Sequence, residues 1–349
     1  MEGGDRQGFN MIPLFKVHMS ETIPEKVSKI LMSGYIGQGQ VVDDFEKVLK
    51  SHFGHDWLVT TNAATNAEHL ALHMLKKPTK VMEMNHTGDG AVTHSWNGIK
   101  DGEEVLCTPL TCTATNWPVL ANNFNIKWVD VDPKTLNMDL DDLARKITKN
   151  TKIIYLVHWG GYPIDLDREK EIKDKTRQMF GFRPMVIEDC AHGIGSEWRK
   201  KPLGNHGNIC TFSLQAIKHI TSIDGGILTL PNQDLYNRAK LLRWYGIDRE
   251  TNKKDFRCES DVAEWGFKFH MNDVNACVGI ENFKHLDDLV GKHINNAEYY
   301  NKELNNVDGV TLTQQDMKHR KSSYWIYSML VDKKQEFMDK MKECGIMVS

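Results

Sequence analysis

A lysine and a carboxylate, each placed just after an apolar run, are the residues whose types and spacing could do chemistry. Residues 211–226 read TFSLQAIKHITSIDGG, and Lys218 lies five positions after Ser213, between two strand-like runs. A lysine at a strand end can point into a cleft, where partial desolvation lowers the proton affinity of its amine and makes it a nucleophile toward an aldehyde. Most isolated lysines are solvated surface charges, so this stretch alone supports the interpretation only weakly.

An acidic pair at the end of an upstream apolar run supports the interpretation of Lys218 as a nucleophile. Residues 184–196 read PMVIEDCAHGIGS, in which a strand-like run ends in Glu188 and Asp189, and His192 follows in a glycine-punctuated turn. A carboxylate that keeps a pyridine nitrogen protonated, together with a lysine that forms a Schiff base, suits pyridoxal phosphate. The two stretches together therefore predict a pyridoxal phosphate site that uses Asp189 and Lys218.

Several spaced motifs make the chain resemble the DegT/DnrJ/StrS family of nucleotide-sugar aminotransferases, the perosamine and viosamine synthases among them. The resemblance runs from residue 12 almost to residue 349. It implies the α/β fold of fold-type I pyridoxal phosphate enzymes, which is aspartate aminotransferase-like, with a mostly parallel central sheet flanked by helices and a smaller C-terminal α+β domain. The corresponding boundaries are a disordered N-terminus at 1–11, a large domain at 12–240 with an insertion at about 76–100, and an apparently shortened small domain at 241–349.

The resemblance also implies a role for each candidate site residue. Lys218 holds pyridoxal 5′-phosphate covalently, and Asp189 pairs with its pyridine nitrogen. His192 occupies the family's glutamine or histidine position, next to the ring or its 3-oxygen. Ser213 and Thr65 bind the phosphate, although a threonine that merely caps a helix would explain Thr65 as well.

Three further candidates depart from the family's pattern. Ala64 stands where relatives have the glycine of a Ser-Gly-Thr motif, and its small side chain still allows a phosphate to approach the backbone. Cys112 stands where relatives carry an aromatic residue, and a thiol can pack on the cofactor ring without the same π-stacking. Lys268 stands where an asparagine reaches across the dimer to the neighbour's phosphate, and a lysine can make that contact as a point charge or form a surface salt bridge instead.

The elements that must position these residues alternate between strands and helices. This alternation predicts parallel pairing with right-handed crossovers, and so an α/β sheet whose site lies at the carboxyl ends of its strands. Near the end of the chain, residues 272–304 predict one long helix and residues 323–331 a strand. The strands predicted upstream are at 57–61, 104–108, 126–131, 152–158, 185–187, 209–212 and 227–230, and the helices at 21–32, 41–53, 67–75, 140–147 and 234–245.

The insertion at 76–100 is predicted to contain a hairpin of residues 81–84 and 91–96, because Gly88-Asp89-Gly90 marks a turn between them. It contains His86 and His94, which raise the question of a metal. Two histidines without a matched carboxylate or cysteine favour a solvated loop, so no metal site is predicted.

Composition narrows the class of protein. With 349 residues, 40% of them hydrophobic and 26% charged, the chain is typical of a globular protein with a full-sized core. A net charge of −3 gives no reason to expect a nucleic acid or membrane partner. No secretory signal is recognised, and seven cysteines without CxxC pairing predict reduced thiols and a cytoplasmic location.

The function implied is transfer of an amino group from L-glutamate to a nucleotide-linked 4-keto-6-deoxyhexose, which gives a 4-amino-4,6-dideoxy sugar nucleotide for glycan synthesis. A homodimer with shared active sites is implied with it. Amination at C3 and a non-catalytic regulatory or scaffold protein are the alternatives. A deoxysugar dehydratase is disfavoured because such relatives carry histidine in place of the lysine, and a dinucleotide-binding module is disfavoured because no GxGxxG follows the first strand.

Overall fold

The computed structural model describes residues 11–84, 91–250, 262–314 and 316–349. The predicted disordered N-terminus lies outside these ranges except for Met11, and so does most of the polar stretch at 246–261. His86 also lies outside them, so the structure does not test whether the insertion binds a metal. None of the helices in the described ranges is long and apolar enough to cross a membrane.

Helices and strands alternate along most of the described chain. The helices are α1 (Ile23–Ser33), α2 (Gln40–Phe53), α3 (Ala64–Met74), α4 (Thr113–Ala121), α5 (Leu140–Lys146), α6 (Leu166–Phe180), α7 (Gln233–Leu242), α8 (Asp273–Phe283), α9 (Leu286–Leu304) and α10 (Lys334–Glu343), with a short 3₁₀ turn at Trp159–Gly161. The strands are β1 (Leu58–Thr61), β2 (Thr79–Met84), β3 (Ala91–Trp96), β4 (Glu104–Cys107), β5 (Asn125–Trp128), β6 (Thr151–Val157), β7 (Met185–Asp189), β8 (Glu197–Trp198), β9 (Lys201–Pro202), β10 (Ile209–Ser213), β11 (Gly226–Thr229), β12 (Val310–Leu312), β13 (Arg320–Lys321) and β14 (Met329–Val331).

A seven-stranded sheet in the order β1-β11-β10-β7-β6-β4-β5 forms the centre of the fold. The strands from β10 to β5 run parallel to their neighbours, whereas β11 is antiparallel to both β1 and β10. The predicted α/β fold with a mostly parallel sheet is confirmed. The predicted hairpin of the insertion is confirmed too, as β2 paired with β3.

The sheet is buried on both faces, as expected when helices cover a parallel sheet on two sides. Along β6, Ile154 and Leu156 point into one apolar cluster, while Ile153 and Tyr155 point into a second one. This double burial fixes the register of the strands, because a slip by one residue would exchange the two sets of side chains.

The carboxyl ends of the parallel strands meet at one edge of the sheet. Asp189 is the last residue of β7, Ser213 is the last residue of β10, and the loop to β11 that contains Lys218 begins directly after it. The candidate residues predicted from sequence therefore lie at the edge where α/β sheets carry their binding sites.

The double glycine before β11 has a packing role. Gly226 pairs with Thr61 of β1 on one side and with Ser213 of β10 on the other. A Cβ atom at residue 226 would lie 2.6 Å from backbone atoms of Ala63 and Ala64, at the start of α3. Glycine is therefore required for the amino end of α3 to lie so close to β11.

Two predictions near the end of the chain were wrong. The long helix predicted at 272–304 is α8 followed by α9, and the break has a tertiary origin. The buried side chain of Asn282 accepts from the Ser20 N–H and donates to the Thr221 carbonyl, and so ties the end of α8 to two distant segments. Of the strand predicted at 323–331, only β14 forms, because residues 322–325 are held in an irregular buried conformation by other contacts.

Replacing Gly226 by alanine should lower the free energy of unfolding by about 1–3 kcal/mol, because the added methyl group meets backbone that cannot rotate away. Chemical denaturation followed by circular dichroism measures the loss. Gly291→Ala, in α9 with open space around it, is the matched control and should stabilise the protein by about 0.5–1 kcal/mol. Equal stability of the Gly226 variant and the parent would contradict the packing role.

Candidate active site

Lys218 lies in the loop between β10 and β11, with its side chain partly buried. Its Nζ is 3.5 Å from the centroid of the Trp325 ring. Burial lowers the pKa of Lys218 to about 8, against the opposing influence of Asp189, Cys112 and Glu68. The amine thus has the reduced proton affinity that the sequence predicted for a nucleophile.

Asp189 is buried, and both of its carboxylate oxygens accept hydrogen bonds. Oδ1 accepts from the Ala191 N–H at 2.8 Å, and Oδ2 accepts from the Thr115 hydroxyl at 2.6 Å. Thr115 lies in the first turn of α4, and its hydroxyl also pairs with that of Thr111 at 2.7 Å. These bonds fix the orientation of the carboxylate at the end of β7.

His192 is buried between the sheet edge and the C-terminal part of the chain. Its Nδ1 accepts from the Gly160 N–H at 3.3 Å, which leaves the proton of a neutral ring on Nε2. Burial, with the charge of Lys218 and His219, holds the pKa of His192 well below its usual range. The ring is therefore neutral and can donate a hydrogen bond through Nε2.

Ala64 and Ser213 lie on either side of Gly226, and Thr65 follows Ala64 in the chain. Ala64 and Thr65 are the first two residues of α3, and the N-cap position belongs to Ala63. The alternative interpretation of Thr65 as a helix cap is therefore wrong. Because the methyl group of Ala63 cannot accept a hydrogen bond, the N–H groups of the first turn are open to an anion, next to the end of β10.

Cys112 lies near Lys218, whereas Lys268 contacts the chain just before α3. Cys112 is exposed at the N-cap of α4 and is close enough to Lys218 to influence its pKa. Lys268 is exposed, and it meets the start of α3 through its backbone, where its carbonyl accepts from the Asn62 side chain at 3.3 Å. A single chain does not test a contact across a dimer, so the role of Lys268 stays a prediction.

A buried carboxyl and a buried phenol near Asp189 were missed by the sequence analysis. Glu68 of α3 and Tyr155 of β6 are almost completely buried, and the two side chains lie close enough for each to influence the pKa of the other. Burial first, and then Asp189 and Cys112, raise the pKa of Glu68 well above its usual range, so the folded chain favours the protonated form of this carboxyl. The sequence does contain a signal for Glu68, since it is an acidic residue among the small and apolar residues of α3.

A second buried cluster, His158, Glu188 and Cys190, has donor atoms within metal-binding distance of one another. The hydrogen bonds argue for a structural role instead. His158 Nδ1 accepts from the Ile164 N–H, its Nε2 is 2.8 Å from one oxygen of Glu188, and the other oxygen accepts from Asn208. The histidine and the carboxylate are thus already satisfied by protein groups.

The sequence of residues 17–349 matches the DegT/DnrJ/EryC1/StrS aminotransferase family. The chain belongs to this family. It is 45% identical to AtS13 from Actinomadura melliaura, with 98% of this chain and 85% of that chain covered and a TM-score of 0.88. It is 41% identical to the sugar aminotransferase CalS13 from Micromonospora echinospora, with 97% and 85% covered and a TM-score of 0.87. It is 28% identical to GDP-perosamine synthase from Escherichia coli O157:H7, over 91% of this chain and 78% of that protein.

This DegT/DnrJ/EryC1/StrS protein is an enzyme, an aminotransferase of the sugar aminotransferase class whose cofactor is pyridoxal 5′-phosphate. The residues present fit that cofactor. A desolvated amine at Lys218, an oriented carboxylate at Asp189 and an open helix amino end beside Gly226 supply a nucleophile, an anion and a phosphate cradle on one edge of the sheet.

Glu68 makes the stability of the cofactor-free enzyme depend on pH. Its pKa is raised in the folded chain, so the folded state keeps a proton that the unfolded chain has lost. Stability is therefore lost as pH rises from the unfolded value of about 4.3 toward the folded value. We expect the stability of Glu68→Gln to rise relative to the parent as pH increases above about 4.3, by up to about 1.4 kcal/mol for each pH unit below the folded pKa.

Denaturant unfolding at pH 5, 6 and 7 measures this dependence. Glu336→Gln, at an exposed position of α10, is the matched control and should differ from the parent by the same amount at every pH. A pH-independent difference for Glu68→Gln would show that Glu68 is ionised in the folded chain.

Proposed function

We propose that this enzyme transfers the amino group of L-glutamate to a nucleotide-linked keto-sugar, with Lys218 as the residue that binds the cofactor covalently. The observation that carries the proposal is the partly buried Lys218 amine with a pKa of about 8, at the same sheet edge as Asp189. Family membership supplies the reaction type, and these two residues supply the groups it needs.

When bound, pyridoxal phosphate supplies an electron sink that makes a proton on the substrate carbon easy to remove. The protein must then move that proton. A lysine whose pKa is near 8 is partly unprotonated at neutral pH, so Lys218, once free of the cofactor, can accept the proton and return it as general base and acid.

Asp189 and His192 orient the ring in this proposal. Asp189 is held by Thr115 and Ala191, so its carboxylate can accept from a pyridine N–H without rearranging. His192 accepts from Gly160 through Nδ1, so its Nε2–H is the donor that faces the ring or its 3-oxygen. Cys112 would lie against the ring where relatives have an aromatic residue.

The phosphate is assigned to Ser213, Thr65 and the first-turn N–H groups of α3, which include that of Ala64. Lys268 of a second copy is proposed as a further contact, which makes the functional unit a homodimer. The described cysteines are all free, consistent with our assignment of the enzyme to the cytoplasm.

The sugar is proposed to be a 4-keto-6-deoxyhexose, which is aminated at C4. The relatives that support this substrate class are a GDP-perosamine synthase and a UDP-4-amino-4,6-dideoxy-N-acetyl-beta-L-altrosamine transaminase from Campylobacter jejuni. A panel of nucleotide-linked 4-keto and 3-keto sugars, with the aminated carbon located by NMR, tests it. If only the 3-keto compounds were turned over, the proposed amination at C4 would be wrong and the enzyme would act at C3.

Lys218→Ala should abolish amino transfer and the visible absorbance band of the covalently bound cofactor, because it removes the amine that forms the covalent bond. The parent should show the band, and L-glutamate should bleach it. Lys334→Ala, at an exposed position of α10, is the control and should behave like the parent. Amino transfer by the Lys218 variant at the parental rate would refute the assignment.

A further inference from the structure

Trp325 contacts four groups at the candidate site. Its ring stacks on that of His192, with centroids 4.1 Å apart, and on that of Phe15, with centroids 5.3 Å apart. The Lys218 amine lies 3.5 Å from its ring centroid, and its Nε1–H donates to the carbonyl of Ile217 at 2.9 Å. The indole therefore holds both the lysine and the residue before it.

The backbone around Trp325 is fixed in an unfavourable conformation. Tyr324 has a φ of 46°, in the left-handed region that a bulky residue rarely adopts. Such a conformation persists only where the surroundings enforce it, and it is concentrated at functional sites. Since Tyr324 immediately precedes Trp325, the strained residue sets the direction in which the indole points.

Hydrogen bonds to buried Ser323 enforce this conformation. Its N–H donates to the Ser196 hydroxyl, its own hydroxyl donates to the His192 carbonyl, and its carbonyl accepts from the His219 ring, each at 3.0 Å. A side chain at Gly161 would lie 2.3 Å from the Ser323 hydroxyl, so glycine is needed there for the segment to fit. The segment is thus anchored to the two loops that contain His192 and Lys218.

We propose that Trp325 is a positioning residue of the active site, which holds the Lys218 amine and the His192 ring in place and connects them to Phe15. The indole already contacts a phenyl ring, an imidazole ring and an amine. We therefore infer that it positions Lys218 and His192 and does not stack on the sugar. The inference rests on the proposed role of Lys218, because positioning matters to the reaction only if that lysine binds the cofactor.

The contact has a measurable electrostatic consequence. The face of an indole ring attracts an ammonium group more than a neutral amine, so Trp325 favours the protonated form of Lys218. Burial acts in the opposite direction. The other titratable groups that influence this amine or are influenced by it are Asp189 at the end of β7, Cys112 before α4, Glu68 on α3, and His192 and His219 in the adjacent loops.

The test measures the proton affinity of Lys218 in the cofactor-free full chain. Lys218 is acetylated with trace acetic anhydride at a series of pH values, and its modification is read by mass spectrometry. Trp325→Leu removes the aromatic face but keeps the site apolar, so the midpoint should fall by about half a pH unit to one unit. Trp325→Phe keeps an aromatic face and should show a smaller shift.

The control for a general loss of stability is Trp198→Leu, a buried tryptophan whose ring contacts Arg320 and His319 instead of Lys218. Its midpoint should equal that of the parent. A parental midpoint in Trp325→Leu would overturn the proposal and leave Trp325 a purely structural residue. The outcome is independent of the cofactor, so it can be told apart from a failure of the proposed function, which the Lys218→Ala spectra decide.

If Trp325→Leu does not fold, 5-fluorotryptophan supplies the second measurement. Incorporated at all nine tryptophans, it weakens the negative ring face with little change of shape. The Lys218 midpoint should then fall in the parent sequence but not in Trp325→Phe. An equal response of the two proteins would show that the effect does not come from Trp325, and so contradict the proposal.

Discussion

The burial of ionisable groups at the carboxyl edge of the sheet is the constraint on which the rest of the site depends. A buried charge is costly unless it is paired or hydrogen-bonded, and otherwise the group becomes neutral. Asp189 meets this constraint with two hydrogen-bond donors. Lys218 meets it through a lowered pKa and contact with an indole, and Glu68 through a raised pKa, which favours its neutral form.

The antiparallel strand β11 gives this edge its shape. It lies between β1 and β10, and so places the start of α3 beside the end of β10. The approach is possible only because residue 226 has no side chain. The open amino end of α3 and the Asp189 carboxylate therefore lie at the same edge of the sheet.

Segments from both ends of the described chain complete the site. Phe15 comes from the extended N-terminal stretch, and Trp325 from a stretch shortly before β14. Local preference does not favour the conformation of Tyr324, and long-range bonds to Ser323 enforce it. Elements far apart in sequence thus act on one lysine in the loop after β10.

The cofactor and most of the regular elements could be predicted from the sequence. The apolar runs before Asp189 and Lys218 are local signals, and the spacing of the two stretches, with the family resemblance, was enough to predict the cofactor. The helix and strand periods predicted the alternation of the parallel sheet. These features depend on residues that are neighbours in the chain, so the sequence displays them directly.

The burial of polar groups in the site and the path of the segments around it could not be predicted from the sequence. The break after α8, the irregular path at residues 322–325 and the burial of Glu68 each arise from contacts between residues far apart in the chain. Such contacts leave no periodic signal. The sequence therefore predicts Trp325 as part of a strand, whereas in the folded chain its ring contacts Lys218.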